Sequence, residues 1–148
     1  MRYTSLFSIP LLIFFTACNK DKFSTTPSLK YESENTRVVQ SGQQLRFTLS
    51  FTDAEGDLTD SLILNKEVGN CPASSGVQLY PLPLFPTTKN QKGEIVVTLF
   101  YNVGGINTIG SPQCQPQNDT VVYKFVLKDK AQHYSDTASS PSIVIIHQ

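Results

Sequence analysis

Hydrophobic and polar positions alternate along several stretches of this chain, the period of two that marks strands half-buried in a sheet. Leu45, Phe47, Leu49 and Phe51 alternate with Arg46, Thr48 and Ser50. Within 120–128, Val121, Tyr123, Phe125 and Leu127 share one side, and Lys124 and Lys128 lie on the other. Shorter strands are expected at 37–39, 77–80, 94–101 and 142–147. The segment 61–68 is ambiguous in period, and reads either as a strand or as a short helix beginning at Thr59. No long helical periodicity occurs outside the N-terminal apolar run. About seven strands within roughly 115 residues predict an all-β fold, a single antiparallel β-sandwich over 36–148.

The apolar pattern at the start of the chain is of another kind. Arg2 precedes an apolar run from Leu6 to Ala17, broken by Pro10. A transmembrane helix needs about 20 apolar residues, whereas the core of a secretory signal runs to about 7–15. Phe15-Thr16-Ala17-Cys18 follows, and then polar Asn19-Lys20-Asp21-Lys22. These four residues resemble the lipobox of bacterial lipoproteins cleaved by signal peptidase II, with Phe15 where Leu is usual. The resemblance implies a cleaved signal at 1–17 and a diacylglycerol thioether on Cys18. It places the protein in the cell envelope, anchored to the outer membrane on its periplasmic or its surface face. Residues 18–35, rich in Ser and Thr, read as a polar tether between lipid and domain.

A second resemblance lies in Asp119-Thr120-Val121-Val122-Tyr123. This run is similar to the tyrosine-corner segment of immunoglobulin-like domains, with an Asp four residues before a Tyr at the start of the sixth strand. The resemblance implies an immunoglobulin-like sandwich, of the fibronectin type III or cadherin-like kind. It also implies a structural role for Tyr123, whose hydroxyl would bond back to the backbone. The chain holds no Trp, so the core Trp of antibody-type domains is missing, and Phe125 stands at the family's Cys.

Cysteine usage agrees with export. With Cys18 assigned to lipid, Cys71 and Cys114 remain to form a disulfide, which persists in an oxidising compartment. Strands that reverse direction in turn place both cysteines at one pole of the sandwich. At the other pole, Asp53, Glu55, Asp57 and Asp60 crowd one loop around Gly56, with Asp129 expected nearby. Calcium takes 6–8 oxygen ligands, mostly carboxylates and carbonyls. Asp53, Glu55, Asp57 and Asp129 are therefore the candidate ligands of a calcium ion, the one cofactor considered. The same residues are equally good turn chemistry.

Twelve basic and twelve acidic side chains cancel, which speaks against a nucleic-acid partner. His133, Ser135 and Asp136 carry the letters of a catalytic triad, but triads are defined by spatial geometry, which adjacency in one loop does not supply. The proline-rich run 80–86 is expected to cross between sheets with its Leu and Phe buried. Taken together, the sequence predicts a non-enzymatic envelope module that binds a protein or glycan or serves a structural role. The alternative is a hydrolase, or a calcium-dependent binder, using the acidic loop 53–60.

Overall fold

The structure is a computed structural model describing residues 24–58, 60–105 and 107–148. The signal segment, Cys18 and the first part of the expected tether lie outside the described residues. Ten strands and one turn of 3-10 helix, Pro72–Ser74, make up the secondary structure among the described residues. They are β1 (Ser28–Glu34), β2 (Val38–Val39), β3 (Gln44–Asp53), β4 (Ser61–Val68), β5 (Gly76–Pro81), β6 (Gln91–Tyr101), β7 (Thr108–Ile109), β8 (Asp119–Lys128), β9 (Ala138–Ser139) and β10 (Ile143–Ile145). One sheet has the order β1-β3-β6-β7; the other has β2-β10-β8-β4-β5, with β9 also paired to β8.

The alternating positions do what their period predicts. Leu45, Phe47, Leu49 and Phe51 on β3 are buried, as are Val121, Tyr123, Phe125 and Leu127 on β8. The two rows meet face to face. The Phe47 ring lies 5.1 Å from both the Tyr123 and the Phe125 rings. Segment 61–68 is a strand, paired to β8 from Ser61 opposite Lys128 to Val68 opposite Val121. β5 lies at the edge of its sheet and ends on Pro81, where a missing N–H costs no ladder bond.

Three expectations need correction. The sandwich is not wholly antiparallel: β2 runs parallel to β10, and β7 runs parallel to β6. The tether does not reach residue 35, because Ser28–Glu34 forms β1 and pairs with β3, burying Leu29. Tyr123 is no tyrosine corner. Its hydroxyl is buried and has no hydrogen-bond partner among the described residues. The tyrosine that bonds back to backbone is Tyr101, whose hydroxyl donates to the Ile146 carbonyl at 2.7 Å. That bond ties the end of β6 to the segment after β10, and so one sheet to the other.

β8 is paired continuously by β4 from Val121 to Lys128, but only in pieces on its other side. Serine hydroxyls fill the gaps. Ser140 Oγ accepts from the Tyr123 N–H and Ser135 Oγ from the Leu127 N–H, each at 2.9 Å. The 80–86 run does cross from β5 to β6. Leu82 and Phe85 pack against the core, Phe85 on Phe51, while Leu84 points outward.

Cys71 and Cys114 are joined in a disulfide, with Cα atoms 5.8 Å apart and 43 residues of sequence separation. It pins the long 102–118 connection to the turn between β4 and β5. In the chain-entropy model, closing such a loop stabilises the fold by about 4 kcal/mol. Reduction, or the paired change Cys71→Ser and Cys114→Ser, is expected to lower stability by an amount of that order. Chemical denaturation with and without reductant measures it, and equal midpoints would contradict the assignment.

Candidate functional site

The acidic pole is the site the sequence marks, and the structure does bring its parts together. The loop after β3 meets the hairpin after β8: the Lys130 N–H donates to the Asp57 carbonyl at 3.3 Å, and the Lys128 ammonium lies 3.2 Å from Asp60 Oδ2. The carboxylates, however, are spent on the loops themselves. Asp53 is fully buried, and its Oδ2 accepts from the Gly56 N–H at 2.7 Å and the Asp57 N–H at 3.1 Å. Gly56 has φ +71°, and a Cβ there would lie 2.1 Å from the Thr88 carbonyl oxygen, so only glycine fits the turn.

Asp129 is also fully buried. It accepts from the His133 N–H at 2.8 Å and lies 3.0 Å from His133 Nδ1. Glu55 points to solvent. No group of three or more His, Cys, Asp or Glu that could hold a metal ion occurs among the described residues. The four proposed calcium ligands are thus dispersed between two turns and solvent. The triad letters separate in the same way, because His133 engages Asp129, Ser135 Oγ donates to the Asp136 carbonyl, and Asp136 is exposed.

Asp53 nevertheless carries a measurable signature. Its second oxygen has no partner among the described residues. Burial raises its pKa, and the nearby Asp57 charge adds to this, against the backbone N–H bonds that lower it. A carboxyl whose folded-state pKa lies above its unfolded value costs stability as pH rises through that range. Asp53→Asn keeps an acceptor for the loop and removes the charge. It is expected to abolish that loss, so that the variant melts at or above wild type at pH 7. Asp53→Ala, which leaves both N–H groups unpaired, is expected to cost about 1–3 kcal/mol. Thermal melts of the three proteins from acid to neutral pH test both statements.

The opposite half of the sandwich holds the feature with most chemical content. A cavity of about 250 Å³ opens between the sheets near the disulfide, where one sheet ends in β7 and the other in β5. Leu64, Leu99 and Ile109 give it apolar walls, and Lys66, Gly76 and Tyr123 also line it. Lys66 is in phase with Leu62, Leu64 and Val68, so it points inward from a strand whose other inward residues are core. The register places it between Tyr123 on β8 and Gly76 on β5. Gly76 explains the space: it lines the cavity without a side chain, and a Cβ added there would meet nothing within 4 Å.

The polar groups at and behind the wall of this cavity are incompletely bonded among the described residues. The Lys66 side chain is 16 % exposed, and its ammonium lies 3.5 Å from Oδ2 of Asp119, which is fully enclosed. That is a loose contact for a charged hydrogen bond, whose usual length is about 2.7–2.9 Å. Burial pulls the Lys66 pKa down, and Asp119 opposes the shift. Asp119 Oδ1 and the Tyr123 hydroxyl have no partner among the described residues. Burial raises the Tyr123 pKa, with the Tyr80 and Asp119 charges acting in the same direction. Sequence reasoning missed Lys66, because the period of 61–68 is ambiguous until the strand is assigned and Leu62, Leu64 and Val68 set its phase. It missed the cavity too, because that depends on the register that sets Gly76 beside Lys66.

No family model matches this chain, and no curated protein does. Among solved structures it is similar to the sporulation control protein Spo0M from Bacillus subtilis, with a TM-score of 0.47 and 7 % identity. The match covers 83 % of this chain and 50 % of that one, so the chain spans about half the length of the protein it matches. At that level of likeness, nothing of Spo0M's role is carried to this chain.

Proposed function

We propose that this chain is a non-enzymatic, lipid-anchored binding module of the bacterial cell envelope, built on an immunoglobulin-like sandwich. The observation that carries the binding reading is the cavity between β5 and β7, where the inward Lys66 ammonium stands among apolar walls. Buried polar groups are normally satisfied, and small-molecule sites combine apolar lining with a few placed polar groups. The hydrolase alternative has less support. The carboxylates it would need are bonded within their own turns, Asp53 to Gly56 and Asp57 and Asp129 to His133.

The immunoglobulin-like part of the proposal rests on strand division. β1, β3 and β6 share one sheet, and β4, β8 and β10 share the other, as strands A, B, E and C, F, G do in that family. β5 departs from the constant-type pattern by pairing with β4 rather than with β6.

The anchor rests on the lipobox-like Phe15-Thr16-Ala17-Cys18. Each buried methylene contributes about 0.8 kcal/mol to membrane binding, so an acylated Cys18 would hold the protein firmly at the outer membrane. Cys18→Ser is expected to move the protein from the membrane fraction to the soluble one and to abolish labelling by an acyl precursor. Labelling that persists in the variant would refute the anchor.

A further inference from the structure

We infer that the cavity between β5 and β7 binds a small carboxylate with a short apolar tail, held by the Lys66 ammonium. The inference rests on the binding reading above and names its ligand chemistry.

The argument is one of donors and acceptors. An ammonium has three N–H donors and no acceptor. Asp119 Oδ2 engages one of them, at 3.5 Å, so Lys66 faces the cavity with donors to spare. The Tyr123 side chain lines the same wall, with its hydroxyl buried behind it. Asp119 itself is fully enclosed and does not line the cavity. An occupant therefore meets spare donors on one wall, which favours an acceptor-rich, anionic group. Leu64, Leu99 and Ile109 supply apolar surface for the rest of the molecule.

Size narrows the class further. The cavity, at about 250 Å³, is smaller than the roughly 300–1,000 Å³ of drug-sized sites. The inward Lys66 makes sense in these terms. A lysine in phase with core leucines costs desolvation, and the Asp119 contact is too long to offset it well.

The test uses the full chain in detergent micelles, titrated at pH 7 with hexanoate, hexanamide and hexylammonium. Backbone amide shifts of Lys66, Gly76 and Tyr123 report binding at the cavity. Hexanoate is expected to saturate these shifts at a concentration at least tenfold lower than hexanamide, and hexylammonium is expected not to bind.

Gly76→Val fills the space from a position with room for a Cβ, and is expected to abolish binding of every probe while remaining folded. Shifts that survive in Gly76→Val come from the micelle and overturn the site. The double change Lys66→Met with Asp119→Leu removes the pair together, so no buried charge is left alone. It is expected to erase the preference for hexanoate over hexanamide. Equal affinity for the two probes in wild type, or a preference for hexanoate that survives the change of Lys66 and Asp119, overturns the carboxylate assignment and leaves the binding reading standing. No shift with any of the three probes overturns both.

Discussion

Two sheets packed about 10 Å apart share a single layer of side chains, and in this protein Phe47 occupies the middle of that layer. Its ring touches Tyr123 and Phe125 from the facing sheet. Once that contact is made, β3 and β8 have fixed faces, and a slip of one residue in either would turn every core side chain to solvent. β6 and β4 inherit their registers from these two strands. Lys66 is inward for the same reason that Leu62 and Leu64 are. The strand has no freedom to turn one residue outward.

The two ends of the sandwich use polar groups in opposite ways. At the end of the 54–60 loop, buried carboxylates accept from backbone N–H groups, with one oxygen each of Asp53 and Asp57 lacking a partner among the described residues, and Lys128 and Asp60 close the rim. At the disulfide end, the backbone is held by a covalent link and by side chains such as Asn70, which bonds both the Asn118 carbonyl and the Thr120 N–H. There the Lys66 ammonium is left with donors to spare. A sequence rich in acids draws attention to the first end. Unspent donors make the second end the chemically open one.

Much of this was legible in the residues themselves. The alternation in 45–51 and 121–127 specified β3, β8 and their buried faces, and reversing strands brought Cys71 and Cys114 to one pole. β1 escaped because Glu32 and Glu34 follow Tyr31 and its register shifts between Tyr31 and Ser33, which breaks a strict period. β7 is two residues long and is recruited by β6 from within a loop, so no local pattern announces it. The tyrosine corner failed on a matter of partners. Asp119 and Tyr123 have the spacing, but Asp119 is engaged with Lys66, and the cross-sheet bond is made by Tyr101. The calcium expectation failed for a related reason, since acid spacing along a loop does not say which backbone groups will claim the carboxylates first.

The placement of β1 also sets how the domain carries mechanical load. The described chain enters at the end of the 54–60 loop, because Ser28 lies opposite Thr52, and β1 then runs toward the disulfide half, antiparallel to β3. A pull from the N-terminal side acts along that strand, so the β1–β3 ladder is loaded in shear and its bonds share the force together. Had β1 started at the other end, the same pull would peel the bonds one after another. A domain tethered on that side would present the cavity away from its attachment and resist tension through the β1–β3 ladder.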